Sequence, residues 1–187
     1  MTAPELYLAS TSPRRHDLLR QIGVAHKTLS VSVDETPRPA EAPADYVMRL
    51  AQAKAAAGVA AAAGGVVLAA DTTIAVDGAV LGKPDDRAEA RAMLARLAGR
   101  GHDVFTSVAL TDGGCTHTAI SHSRVFFRSA DAAEIDAYVA TGEGDDKAGA
   151  YAIQGRGAVF VERLEGSYSG VVGLPLCETA MLLRKFM

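Results

Sequence analysis

The segment Ser12-Pro13-Arg14-Arg15 places adjacent cations where a helix is predicted to begin. Serine is favoured just before a helix, and proline suits its first position. Free N–H groups and the helix dipole already give the N-terminal end of a helix a partial positive charge. The two arginines are therefore repelled by the helix end unless an anion binds between them. Because guanidinium groups match phosphate oxygens, the segment predicts a phosphate site. The simpler alternative, more common for exposed arginines, is that both side chains extend into solvent.

The acidic residues Asp71 and Glu35 are candidates for chemistry at such a phosphate. Asp71 ends the apolar run 66–70, which predicts a buried strand, and a buried carboxylate is costly unless it is paired, binds a metal or takes part in catalysis. Glu35 is predicted at the end of another strand, and Lys54 and Lys83 are predicted nearby. Acids and cations together are typical of magnesium-assisted chemistry at phosphorus. Taken singly, Glu35 could be an exposed loop acid and Lys54 a helix lysine whose amine reaches solvent.

Other nucleotide-binding and nucleophile motifs do not account for these residues. The sequence has no GxxxxGK[ST] segment, so it is not a Walker-type ATPase. The glycines of GEGDDKAG follow a predicted helix instead of a strand, which argues against a dinucleotide-binding turn. The segment GSYSG carries tyrosine where a nucleophile elbow needs serine.

The elements that must position these side chains alternate between strands and helices in the first half of the sequence. Strands are predicted in ELYLAS (5–10), HKTLSVSVDE (26–35), GGVVLAAD (64–71), HDVFTSVALTDGG (102–114) and CTHTAISHSRVFFR (115–128). Helices are predicted over 13–23, 44–62, 85–100 and 131–142 and at the C-terminus. The first helix should bury Leu18, Leu19 and Ile22 and end at Gly23. A hairpin is predicted over 72–84 with its turn at Asp77-Gly78.

The second half of the sequence is dominated by paired strands, and residues 150–175 are predicted to be strand-rich but interrupted by glycines. This order of elements predicts an α/β protein, or an α+β one, with a mixed sheet and two lobes around a cleft. At 187 residues the chain is long enough for one good core, so residues 1–187 are expected to form a single domain.

Composition limits the partners and the compartment. The net charge of −3 does not provide the basic face that nucleic-acid binding usually needs, and no apolar segment is long enough to span a membrane. Cys115 and Cys177 lack the spacing of a zinc site or a disulfide framework. We therefore expect two buried thiols in a reducing cytoplasm, with no nucleic-acid or membrane partner.

Taken together, these segments resemble the Maf family of nucleotide pyrophosphatases, which is related in fold to the inosine-triphosphate pyrophosphatases. The resemblance runs through LASTSPRRHDLLRQIG, VDETP, YVMRLAQAKA, VLAADTTIAVDGAVLGKP, GHDVFTSVAL, DKAGAYAIQG and VERLEGSYSGVVGLPL, in the family's order and over nearly the whole chain. The sequence has STS where many relatives have S(A/G)S, while Ser12, Pro13 and both arginines are kept.

The resemblance implies a role for each matching residue. It makes Asp71 the proton acceptor for the attacking water and places a divalent cation (Mg, Mn or Co) on Glu35 and Asp71. It assigns contacts with the triphosphate to Ser12, Arg14, Arg15, Lys54 and Lys83. It assigns base specificity to Arg14, Thr72 and Gln154.

The activity that the resemblance implies is hydrolysis of dTTP and UTP to the monophosphate and pyrophosphate, by a homodimer. The segments AGAYAIQG and GSYSGVVGLPL look like the subfamily with this preference. Two alternatives stay open. The chain could bind a nucleotide as a regulator of septum formation and cell division, or it could act on 7-methyl-GTP or inosine triphosphate.

Overall fold

The computed structural model describes residues 4–186, which form a seven-stranded mixed sheet flanked by helices. The strands are β1 (Leu6–Ala9), β2 (Lys27–Leu29), β3 (Val66–Val76), β4 (Ala79–Leu81), β5 (Gly101–Thr111), β6 (Thr116–Phe127) and β7 (Val161–Glu165). Their order is β2-β1-β3-β5-β6-β7, and β4 pairs with β3. Strand β1 is parallel to both β2 and β3, while every other pairing is antiparallel. The mixed α/β fold class predicted from the sequence is confirmed.

Six α-helices surround this sheet. They are α1 (Pro13–Gln21), α2 (Pro43–Val59), α3 (Arg87–Leu97), α4 (Ala132–Val139), α5 (Tyr168–Val172) and α6 (Leu176–Leu183). The small side chains of α2 allow it to pack closely on the sheet: a Cβ on Gly58 would lie 2.8 Å from Val67. This close approach explains the alanine-rich composition of the segment. Among residues 4–186, every helix is too short or too polar to cross a membrane.

Separate clusters of buried side chains lie in the two halves of the sheet. Helices α3 and α4 cover one half, where Leu94, Val125 and Phe127 belong to the largest cluster. In the other half, smaller clusters lie around β1 and the start of β3, one including Leu19 of α1 and one including Ala55 of α2. The functional cleft described below lies along β3 between these regions.

Several local predictions were wrong. Ile22 is 37% exposed, because α1 ends at Gln21 and the chain turns away at Gly23, where φ is +71°. The strand-rich segment 150–175 contains only β7; the rest forms short 3₁₀ turns and α5. Cys115 and Cys177 are both exposed, so they are not the buried thiols expected from the sequence. Cys115 lies at a tight turn in which its N–H binds Asp112, and Cys177 begins the outer face of α6.

A buried histidine should make the fold sensitive to acid. His102 is 1% exposed, its Nε2 lies 2.8 Å from the Tyr151 hydroxyl, and its Nδ1 has no partner within residues 4–186. Burial lowers the pKa of His102 from 6.5 to about 4. The unfolded chain therefore binds a proton at His102 near pH 6.5, whereas the folded chain binds it only near pH 4. The free energy of unfolding consequently decreases as the pH falls from 6.5 to 4.

We expect protonation of His102 in the unfolded chain to lower the free energy of unfolding by about 3 kcal/mol between pH 7 and pH 4. This value follows from about 1.4 kcal/mol per unit of pKa difference. The double variant His102→Leu/Tyr151→Phe removes both polar partners and should lose less stability over the same range. Urea unfolding at the two pH values measures the difference. An equal loss in wild type and double variant would contradict the assignment.

Candidate functional site

The cleft opens where β3 lacks a neighbour on one side. Strand β1 pairs with β3 only from Val66 to Leu68, and β4 pairs with it from Ile74 onward, while β5 pairs along the other edge from Val67 to Ala75. Asp71, Thr72 and Thr73, in the stretch between these pairings, line a cavity of about 600 Å³. Its other walls come from the beginning of α1, from α2, from the loop after β4 and from the segments 146–154 and 171–173. All of the predicted site residues line this cleft: Ser12, Arg14, Arg15, Glu35, Lys54, Asp71, Thr72, Lys83 and Gln154.

Lys54 joins the two predicted acids. Its Nζ lies 2.7 Å from Asp71 Oδ1 and 2.6 Å from Glu35 Oε1, so both carboxylates converge on a single cation. Lys54 projects from α2, Asp71 from the middle of β3, and Glu35 from the irregular segment after β2. Tyr46 of α2 donates to the Glu35 carbonyl oxygen at 2.9 Å, which holds this irregular segment against the helix.

The two carboxylates differ in burial, and their pKa values move in opposite directions. Burial raises the pKa of Asp71, although Lys54 and Arg15 act against it. Partial burial also acts to raise the pKa of Glu35, but Lys54, Lys83 and Arg15 outweigh it and leave the pKa below its ordinary value. Asp71 is therefore the more basic carboxylate of the pair and the better proton acceptor.

Arg15 is half-buried, and hydrogen bonds hold its guanidinium against the protein. Its Nε donates to the Gly173 carbonyl oxygen at 2.8 Å, and its terminal nitrogens make longer contacts with Ser10 Oγ and Thr72 Oγ1 at 3.3 and 3.4 Å. Burial lowers the pKa of Arg15, and the charge of Asp71 opposes this effect. A guanidinium has five N–H donors, so donors remain for an anion in the cleft.

Thr72 belongs to a chain of hydroxyl groups behind Arg15. Thr106 Oγ1 lies 2.7 Å from the Gly170 carbonyl oxygen and 2.9 Å from Thr72 Oγ1. Because a carbonyl can only accept, the Thr106 hydroxyl donates to Gly170, and the Thr72 hydroxyl donates to Thr106. Thr72 therefore accepts from Arg15 and can offer a ligand only its remaining lone pair.

Helix α1 points its N-terminus at the cleft. Ser12 occupies the cap position, but its side chain makes no capping hydrogen bond, so its hydroxyl stays available to a ligand. Arg14 is partly exposed and lies 3.9 Å from Asp146. Lys83 comes from the loop after β4, and Lys147 from the segment after α4. The cleft thus brings cations from several elements to the two carboxylates.

Gln154 also lines the cleft and lies in an irregular segment. Short 3₁₀ turns flank it at Ala148–Ala150 and Arg156–Phe160. Its side chain is exposed, while Tyr151 and Ile153 next to it are buried and also line the cavity. An amide in this position can both donate to and accept from a ligand.

The structure corrects the predicted placement of both acids. Asp71 does not end a strand: it lies in the interior of β3, paired with Ser107 of β5. Glu35 does not end β2 either, because β2 stops at Leu29 and an irregular segment carries the chain onward. Both carboxylates still reach the same cation, because the gap beside β3 lets α2 and the irregular segment approach.

Lys147 and Asp146 are cleft residues that the sequence analysis did not single out. Both line the cavity, Lys147 binds Asp146, and the side chain of Lys147 is 16% exposed. The string DKAG that contains them belongs to the family resemblance, which gives neither residue a role.

The cleft beside this mixed α/β sheet brings several cationic side chains to two carboxylates, an arrangement that suits an anionic ligand. The sequence matches the family described as Maf-like protein over residues 5–186. The chain belongs to the Maf family, and the resemblance noted in the sequence is confirmed.

Curated relatives are similar over almost the whole chain. The chain is 55% identical to the "dTTP/UTP pyrophosphatase" of Methylococcus capsulatus, across 96% of this chain and 90% of that protein. It is 50% identical to the protein of the same name from Nitrosomonas europaea, across 96% and 93%. Among solved structures, a nucleoside-triphosphatase / dITP/XTP pyrophosphatase from Mycobacterium abscessus has a TM-score of 0.47 and 18% identity, across 97% of this chain and 95% of that one.

Proposed function

We propose that this chain hydrolyses dTTP and UTP to the nucleoside monophosphate and pyrophosphate. The proposal depends mainly on one observation: Lys54 forms ion pairs with both Asp71 and Glu35 inside a cleft that Arg15 and Lys83 also line. A triphosphate needs this density of positive charge, and hydrolysis needs a basic group beside it. The names of the relatives at 50–55% identity support the choice of substrate.

The chemical step is attack of water on the α-phosphorus. The water oxygen forms the new bond, the bond from the α-phosphorus to the bridging oxygen breaks, and pyrophosphate leaves with those electrons. Asp71 accepts the water proton at a carboxylate oxygen, a role suited to the more basic of the two acids. Ser12, Arg14, Arg15, Lys54 and Lys83 bind the phosphates, so catalysis comes mainly from positioning and charge neutralisation.

The donor set fits a divalent cation that is shared with the substrate. Asp71 and Glu35 already hold one cationic group, the Lys54 ammonium, between hard oxygen ligands. No group of three or more histidine, cysteine, aspartate or glutamate side chains in residues 4–186 could hold a metal by itself. We therefore assign Glu35 and Asp71 as ligands of Mg, Mn or Co, with the remaining ligands from phosphate oxygens and water. When bound, the ion would supply further neutralisation of phosphate charge.

A panel of nucleotides tests the function directly. Purified protein with a divalent cation is incubated with dTTP, UTP, GTP, ITP and 7-methyl-GTP, and both monophosphate and pyrophosphate are measured. Release of dTMP and UMP with pyrophosphate supports the proposal. A thermal shift with dTTP but no product would instead favour the nucleotide-binding regulator, and preferential hydrolysis of 7-methyl-GTP or ITP would overturn the pyrimidine assignment.

The single domain, the homodimer and the cytoplasmic location stay predictions from the sequence.

Base preference should depend on Gln154. We expect Gln154→Ala to lower kcat/KM for dTTP and UTP by about tenfold, from the loss of one or two hydrogen bonds of about 1 kcal/mol each. The kcat/KM for GTP should change much less, so the ratio of kcat/KM for dTTP over GTP should fall. Steady-state kinetics on the same panel measures the ratio. An unchanged ratio would remove Gln154 from base recognition and leave Arg14 and Thr72 as the candidates.

A further inference from the structure

The segment that carries Gln154 is held by side chains and not by a strand or a long helix. Residues 151–155 make no strand pairing, and only short 3₁₀ turns flank them. Such a segment needs other bonds to keep one conformation. Besides one backbone bond from the Gly155 N–H to the Ala152 carbonyl oxygen, the segment is held by side chains. Tyr138, at the end of α4, binds the backbone of Ala152, and Glu143, in the loop that follows, binds the backbone immediately after the segment.

Glu143 accepts hydrogen bonds from the chain just beyond Gln154. Its Oε1 accepts from the Arg156 N–H at 2.9 Å, and its Oε2 accepts from the Gly157 N–H at 3.0 Å. Oε2 also accepts from the Tyr138 hydroxyl at 2.9 Å. A carboxylate can satisfy all of these donors at once because it offers only acceptor sites.

Tyr138 extends the same network to the chain just before Gln154. Its hydroxyl oxygen accepts from the Ala152 N–H at 3.1 Å while its hydrogen goes to Glu143. Tyr138 is 5% exposed and packs edge-on against Phe160, so its hydroxyl has a fixed position. One tyrosine and one glutamate therefore hold both ends of the short segment that presents Gln154 to the cleft.

Packing at Gly155 shows how tightly the carboxylate fits. A Cβ on Gly155 would lie 2.3 Å from Glu143 Oε1, so no larger residue fits beside the carboxylate without displacing it. The residue next to Gln154 is thus in direct contact with Glu143, which makes the position of the carboxylate and the position of the base-reading amide interdependent.

We propose that Glu143 and Tyr138 are positioning residues for base recognition, which hold Gln154 against the nucleotide base without touching the nucleotide themselves. This inference rests on the proposed function. It deepens that function by naming the residues on which selectivity between pyrimidine and purine triphosphates depends.

The variants Glu143→Gln and Tyr138→Phe test the proposal. A glutamine has one acceptor oxygen, so its NH2 group must face at least one of the three donors, and the segment should loosen. Phenylalanine keeps the ring of Tyr138 but removes the link to Ala152. We expect KM for dTTP and UTP to rise about tenfold, kcat to stay within about threefold, and the ratio of kcat/KM for dTTP over GTP to fall.

Two comparisons separate positioning from a general structural role. Glu134→Gln disrupts the cap of the same helix α4 and its bond to Arg128, but Glu134 makes no bond to residues 151–157, so base preference should stay as in wild type. In a Gln154→Ala background, Glu143→Gln should produce little further change in base preference, because the group that it positions is gone. A purely structural effect would instead lower kcat/KM for every nucleotide by the same factor in both backgrounds.

The possible outcomes distinguish this inference from the proposed function. If wild type hydrolyses neither dTTP nor UTP, the proposed function fails. If wild type hydrolyses them but both variants keep its KM and base preference, the inference is overturned. Should Glu143→Gln fold poorly by circular dichroism, Tyr138→Phe decides the question, since it removes a single hydroxyl from an intact ring.

Discussion

Replacing Asp71 by asparagine is expected to abolish pyrophosphate release while leaving the protein folded. The amide has nearly the shape of the carboxylate but cannot accept the proton of the attacking water, and loss of a general base costs about 10²–10⁴-fold in rate. The same change removes one of the two proposed ligands of the divalent cation. Lys54 keeps Glu35 as a partner at 2.6 Å, so the buried ammonium is not left without a counter-charge.

The measurement is initial-rate pyrophosphate release with dTTP at saturating divalent cation, together with thermal unfolding of the same sample. Asp85→Asn, at an exposed aspartate outside the cleft, serves as the matched control and should keep wild-type turnover. Because burial raises the pKa of Asp71, removing its charge should not lower the unfolding temperature greatly. Turnover of Asp71→Asn close to that of wild type would contradict the assigned proton acceptor.

The meeting of the candidate residues in one cleft could be predicted from the sequence, but their positions within the strands and loops could not. A run of small apolar residues that meets an aspartate resembles a strand that ends there, because an unpaired buried charge is costly. Strand β3 continues through Asp71 because Lys54, far away in the sequence, neutralises it, and because β5 pairs with this residue as well. A local pattern contains neither contact.

Strand β2 shows the same limit from another direction. The alternation in residues 26–35 predicts one strand that reaches Glu35, yet the strand ends at Leu29. Its partner β1 is only four residues long and ends at Ala9, which pairs with Leu29, so no backbone remains for the later residues to bind. The length of a strand is set by its neighbour, and the residues beyond it are free to form the irregular segment that brings Glu35 to Lys54.

The network around Gln154 was absent from the sequence analysis for a related reason. Glycines and alternating apolar residues in 150–175 predict strands, although the buried side chains Tyr151 and Ile153 pack without a partner strand. In place of a partner strand, Tyr138 and Glu143 form hydrogen bonds with the backbone around Gln154. Such bonds between a side chain and a distant backbone N–H produce no periodic pattern in the sequence. The helix α4 itself was predictable because Asp131 and Glu134 form its capping box.

Replacing Arg15 by lysine is expected to impair both stability and turnover, although the charge is kept. A lysine cannot reproduce the fork that contacts Gly173, Ser10 and Thr72, so partly buried acceptors lose their donor. At about 1–3 kcal/mol for unsatisfied buried groups, we expect the unfolding free energy to fall by about 2 kcal/mol. The phosphate also loses planar donors, and kcat/KM for dTTP should fall by about 10²-fold.

Two lysine substitutions on the same helix α1 serve as controls for this prediction. Arg14→Lys should leave the unfolding free energy within about 0.5 kcal/mol of wild type, since the Arg14 side chain is 29% exposed and its contact with Asp146 is long, at 3.9 Å. Arg20→Lys, exposed at the far end of the helix, should change neither stability nor turnover. Urea unfolding and dTTP kinetics of the three variants show whether position 15 needs the guanidinium group of arginine or only a positive charge. If Arg15→Lys matched Arg20→Lys in both, the charge alone would be sufficient at this position, and the fork of Arg15 would not organise the phosphate site.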